Sequence, residues 1–103
     1  MNRRVLWSER ALQELERDIA YIAERNPAAA HRVMDELRQA AEGLGVAATG
    51  RRGRIAETYE KVVSGRPYIL AYALLPLPEG GEAVVLLRVI HTARDWPEGE
   101  WPA

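Results

Sequence analysis

The 103-residue chain contains no cysteine, and that absence removes disulfide staples, thiolate metal sites and thiol nucleophiles together. Histidine is nearly as scarce. His31 and His91 stand too far apart in sequence to form a metal site alone, so no metal and no other cofactor is expected. An excess of positive charge is missing too: 14 Lys+Arg against 15 Asp+Glu leave a formal net charge of −1, with an isoelectric point near 6.1. Proteins that live on phosphate backbones carry a large cationic surplus, because counterion release supplies most of their affinity. Any nucleic-acid contact here must therefore come from a local patch. Lysine occurs only at Lys61; every other cation is arginine. No apolar run reaches membrane length and no apolar signal segment follows Met1, so a cytoplasmic setting without membrane contact is expected. There is no internal repeat, low-complexity tract or linker, and the length suits one domain spanning residues 1–103.

What is present is 48% hydrophobic residues, arranged with clear periods. Arg3 to Trp7 reads as a short strand. Ser8 then suits a helix N-cap, with Trp7 and Leu12 at the two positions of a hydrophobic staple. Leu12, Leu15, Ile19 and Ile22 recur at helical spacing and predict one apolar stripe. Asn26-Pro27 ends that helix and opens the next, since Asn caps well and Pro is welcome at the first helical position. The second stripe is Ala30, Val33, Leu37, Ala41 and Leu44, with Gly43 and Gly45 expected to close it.

Val46 to Gly53 reads as a loop, and Arg51, Arg52 and Arg54 crowd around its end. Ile55 to Val63 is expected to form a strand of mixed polarity. Gly65-Arg66-Pro67 is turn chemistry, and Tyr68 to Leu75 is a nearly continuous apolar run. Pro76 to Gly81 breaks it before a second apolar run from Ala83 to Ile90. The expected fold class is α+β: an N-terminal strand and an antiparallel helix hairpin packed on one face of a small antiparallel β-sheet. No further helix is available for the other sheet face, which is expected to be curved, weakly covered or covered by another chain, and so a partner site by default.

Set in this order, several phrases resemble the RelE/ParE superfamily of toxins from type II toxin–antitoxin systems, on its ParE-like branch. They are Trp7-Ser8-Glu9-Arg10-Ala11-Leu12, Tyr21 to Ala30, Gly50 to Arg54, Thr58 to Val63, and Pro67-Tyr68-Ile69-Leu70-Ala71-Tyr72. The closing phrase, Leu87 to Pro97, is similar to the end of many plasmid-stabilisation toxins of that group. The resemblance implies a growth-inhibiting toxin neutralised in a hetero-oligomeric complex by a cognate antitoxin, ParD-like or related. It also implies one of two targets. RelE-like members cut mRNA on the ribosome; ParE-like members poison DNA gyrase. A non-toxic module that only binds its antitoxin and tunes operon repression is the alternative from another class.

RNA cleavage needs a base for the 2′-oxygen, a cation for the phosphate and an acid for the leaving group. Ribonuclease members commonly place an arginine after the aromatic residue of the strand that Tyr68 begins. Here that position is Ile69. With the acidic balance of the chain, this favours gyrase as the target. Arg88, His91 and Arg94 are the remaining catalytic candidates. The plain structural readings are an Arg88 guanidinium paired with Glu57 or Glu60, and a strand-end His91 hydrogen-bonded to backbone. Strict alternation puts Arg88 with Val84, Leu86 and Ile90, and His91 on the opposite face with Val85, Leu87 and Val89. Arg51, Arg52 and Arg54 are candidates for target or nucleic-acid contact, with a solvated loop as the plain reading. Leu12, Tyr68, Tyr72 and Trp96 are candidates for antitoxin binding, and core packing is the alternative for the two tyrosines.

Overall fold

The structure, a computed structural model, describes residues 2–53 and 55–93. Strand β1 (Arg4–Trp7) leads into helix α1 (Glu9–Arg25), and helix α2 (Pro27–Val46) returns antiparallel to it. Four strands follow: β2 (Arg51–Arg52), β3 (Tyr59–Val62), β4 (Tyr68–Pro76) and β5 (Glu82–His91). They form one sheet in the order β1-β5-β4-β3-β2. The α+β class and the hairpin-on-sheet arrangement are as expected from the sequence. One pair departs from the antiparallel rule: β1 runs parallel to β5, with Trp7 opposite Leu86. The helical hairpin supplies the crossover that a parallel pair requires.

Both helix starts follow from their caps. The Ser8 hydroxyl accepts the Ala11 N–H and the Asn26 side chain accepts the Ala29 N–H, satisfying amides that have no partner inside the helix. The α2 stripe is as expected, with Ala30, Val33, Leu37, Ala41 and Leu44 all buried. The α1 stripe is so in part: Leu15 is in the core and Ile19 and Ile22 pack against it. Its buried residues are Ala11, Glu14, Leu15 and Asp18, while Leu12 stays 42% exposed. The buried face is thus rotated away from Leu12 and takes in two carboxylates, because α1 lies along an edge of the sheet as well as over its face.

Gly43 and Gly45 do not end α2, which continues to Val46. Gly45 instead lets β1 come close: the Arg3 N–H donates to the Gly45 carbonyl at 2.7 Å. A Cβ at that position would sit 2.7 Å from the Arg3 carbonyl oxygen and 3.0 Å from a Val5 methyl. The strand expected from Ile55 begins only at Tyr59. Before it the chain folds into a tight turn, with Gly53 N–H donating to the Thr58 carbonyl and Thr58 N–H to that of Ile55. Arg51 and Arg52, expected in a loop, form the two-residue edge strand β2.

The main core lies between the helices and one sheet face, where Tyr68, Leu70, Tyr72, Val84, Leu86 and Val89 meet Leu15, Leu37 and Leu44. A separate apolar cluster of Ile69, Ala71 and Ile90 lies on the opposite face, as the two-residue alternation along β4 requires.

Candidate functional site

Pairing across the far face sets Arg51, Glu60, Ala71 and Arg88 in one row. The ends of that row are occupied by ion pairs. The Arg51 Nε and Nη2 both donate to Glu60 Oε1, at 3.1 and 3.0 Å. Arg88 donates from Nε to Glu14 Oε2 at 2.6 Å, and the other Glu14 oxygen accepts the Val89 N–H at 2.9 Å.

The reason Glu14 is there is topological. Strand β1 pairs with β5 only as far as Leu86, and Ser8 then takes over, donating its N–H to the Leu86 carbonyl and its hydroxyl to that of Leu87. Beyond Ser8 the β5 edge has no strand beside it, and a buried N–H left there would cost about 1–3 kcal/mol. The Glu14 carboxylate, reaching from α1, closes that edge. This corrects the expectation that Arg88 pairs with Glu57 or Glu60: its partner comes from α1, and Glu60 belongs to Arg51.

A bulge in β5 sets the side-chain directions. Ala71 pairs with Arg88 but Tyr72 pairs with Leu86, which leaves Leu87 as the additional residue. Val89 therefore joins Val84 and Leu86 in the helix-side core, where strict alternation had put it with Leu87 and His91. The bulge leaves Arg88 and His91 on opposite faces. His91 lies beside Tyr68, with ring centroids 5.1 Å apart in an edge-to-face contact, and its Nδ1 accepts the Ala93 N–H at 3.2 Å. That is the backbone-bonded, strand-end arrangement. Ile69, where an arginine would serve RNA cleavage, is 6% exposed within its apolar cluster.

Tyr68 and Tyr72 are core residues, 3% and 0% exposed, so the isolated chain presents neither to a partner. The Tyr72 hydroxyl donates to the Thr49 carbonyl at 2.6 Å. Its burial, and then the nearby Tyr59, push its ionisation above the ordinary phenol value, with Arg3 opposing. Of the loop arginines, Arg51 is tied to Glu60 and Arg52 is exposed. Arg54, Arg94 and Trp96 lie outside the described residues. Among the described residues no cluster of three or more His, Asp or Glu side chains is placed to hold a metal ion, and no helix is long and apolar enough to cross a membrane.

A second feature escaped the sequence reading. Between α1 and α2 lies an apolar cavity of about 220 Å³, lined by Ile19, Ala23, Pro27, Ala30, His31 and Met34. Ala23 and Ala30 were its signal in the sequence: small side chains where two helices meet leave a hollow. Elsewhere on α1, Tyr21 is exposed, with the Arg25 guanidinium 3.9 Å from its ring centroid.

Comparison with known proteins decides what these parts belong to. Residues 5–96 match the family of the "ParE toxin of type II toxin-antitoxin system, parDE". The chain belongs to the ParE toxin family. A curated relative, "Putative toxin Y4kP" of Sinorhizobium fredii, is 36% identical over 97 residues, which cover 93% of this chain and 95% of that protein. A solved structure described as the chromosomal ParDE TA system from P. aeruginosa has a chain of the same fold, with a TM-score of 0.75 at 14% identity. That match spans 86% of this chain and 95% of the other. As a ParE-family toxin of a type II toxin–antitoxin system, the chain carries the helix hairpin and sheet that its sequence announced.

Proposed function

We propose that this ParE-family toxin poisons DNA gyrase in the cytoplasm, and that a ParD-like antitoxin neutralises it by laying an apolar helical segment into the hairpin hollow. The observation that carries the target is the far face of the sheet. Its central position is Ile69, its one arginine on β5 is engaged by Glu14, and His91 points to the other side. A ribonuclease needs a cation and an acid–base group converging on one phosphate; here the candidate cation and the candidate histidine lie on opposite faces of a strand. The acidic balance of the chain supports the same choice, since a ribosome binder works against a dense phosphate surface.

The antitoxin half of the reading is supported by the hollow itself. It is apolar, it is open to solvent, and it lies between two helices, which is the shape that accepts the anchor side chains of an amphipathic helix. Leu12, seven residues before Ile19 and therefore on the same face of α1, extends the apolar surface. Arg52, with Arg51 and Arg54 near it in sequence, is the proposed contact with gyrase or its DNA.

Expression from a tightly controlled promoter without the antitoxin tests both halves. The expected result is growth arrest with trapped, cleaved plasmid DNA and intact transcripts, reversed when the antitoxin is supplied. Codon-spaced transcript cuts with normal supercoiling would instead place the chain with the ribosome-dependent endonucleases. Unimpaired growth would leave it an antitoxin-binding module.

A further inference from the structure

The hollow between α1 and α2 has one wall residue that can change its charge. Ile19 and Ala23 line it from α1, and Pro27, Ala30 and Met34 from α2; none of these side chains titrates. The remaining lining residue is His31. Its place follows from the helical period, since Pro27, Ala30, His31 and Met34 stand three and four residues apart and share one face of α2.

The charged neighbours stand outside that wall. On α2, Arg32 follows His31 directly and is turned about 100° around the helix, while Asp35 lies one turn further on, exposed. On α1, Glu16 precedes Ile19 by three residues and Ala23 by seven, on the same helix face, and Glu24 follows Ala23. The other histidine, His91, packs against Tyr68 on β5 and takes no part in the hollow.

His31 is exposed in the isolated chain, so water solvates its imidazole in either protonation state. An apolar segment laid into the hollow removes that water. The wall it closes against, Ile19, Ala23, Ala30 and Met34, offers an imidazolium neither an acceptor nor a counter-charge. Burying a charge in such surroundings is costly, whereas a neutral imidazole packs as a partly apolar ring. Histidine is also the side chain whose charge changes between pH 5 and 8.

We propose that His31 makes antitoxin capture pH-dependent: the hollow takes its apolar anchor while the imidazole is neutral and resists it once the imidazole is charged. The proposal rests on the reading that the antitoxin seats in this hollow. The sign follows from linkage. A complex that disfavours the protonated form keeps its full affinity on the alkaline side and loses it as the pH falls, by up to about tenfold per pH unit for one coupled proton.

The test is calorimetry of the full-length toxin with its separately purified cognate antitoxin at pH 8 and pH 5.5, on the unaltered chain and on His31→Gln. The substituted side chain is exposed, so the fold should stand. The unaltered chain is expected to bind about tenfold more weakly at the lower pH, and His31→Gln to lose much less. Titration of the antitoxin, or of Glu16, Glu24 and Asp35, is common to both chains and cancels in the comparison. An equal loss in His31→Gln, or no loss in the unaltered chain, would overturn the proposal. Met34→Glu at pH 8 tells that failure from a failure of the docking site: weakened capture would leave the hollow as the antitoxin's seat, and unaltered capture would remove the seat and the proposal together.

Discussion

Removing the Glu14 carboxylate would leave the Arg88 guanidinium buried without its counter-charge and the Val89 N–H without an acceptor. Losing one partner of a buried ion pair costs about 3–5 kcal/mol, whereas replacing both by apolar groups of similar size is often near neutral. Glu14→Ala is therefore expected to be severely destabilised, and the double variant Glu14→Leu/Arg88→Met much less so. Urea unfolding of the two single variants and the double forms the check; strictly additive losses would show that the pair is not coupled. None of this was visible in sequence. A helical period counts apolar residues, so it gives no signal for Glu14 or Asp18. Arg88 and Val89, the partners that hold Glu14, lie more than seventy positions away. Residues whose roles are local were legible: Ser8 and Asn26 announced their caps.

Among the elements, α2 was the easiest to read, because five apolar positions at three- and four-residue spacing have no other use. Strand β2 was hidden, since two arginines carry no strand pattern and pair only because Glu60 faces Arg51 across β3. The turn between β3 and β4 is tied to α2 by a fork: Arg66 Nε and Nη2 donate to the two Glu36 oxygens at 2.8 and 2.9 Å. The hydrogen bonds from Arg66, opposed by partial desolvation and aided by its charge, hold the Glu36 carboxyl below its ordinary 4.5. The sign follows directly. A depressed carboxylate contributes stability that is fully present above the unfolded value and is lost as pH falls through the folded one. Glu36→Gln should accordingly weaken the tie at neutral pH and flatten the acid limb of the stability curve, as read by thermal unfolding across the acid range. An unchanged acid limb would mean the fork contributes nothing measurable, as exposed pairs often do. The hollow between the helices makes a separate demand on the same hairpin. Met34 lines it and is only half-buried, so Met34→Glu should leave the fold intact yet weaken antitoxin capture by at least tenfold, measured by calorimetry. Unaltered affinity would move the antitoxin elsewhere.

At the level of the whole molecule, strand, helix hairpin and meander could be ordered from the sequence because each element carries its own period and its own breakers. The parallel placement of β1 could not be read, since a four-residue strand gives no signal of direction. It is nonetheless what creates the short edge that Glu14 closes. The function was legible in the same uneven way. Family membership rests on phrases spread over nearly the entire chain and on a match to residues 5–96, while the hairpin hollow emerged only once the helices were in contact. The choice of target rests on a sheet face whose cation and histidine do not converge.

That choice is tested most directly by incubating the purified toxin with purified gyrase, ATP and relaxed plasmid, and following both supercoiling and DNA cleavage. Loss of supercoiling with accumulation of cleaved DNA covalently held by the enzyme, suppressed by prior addition of antitoxin, is the expected result. Undisturbed supercoiling at a toxin concentration that arrests growth, with cleaved messenger RNA in a reconstituted translation reaction, would contradict it.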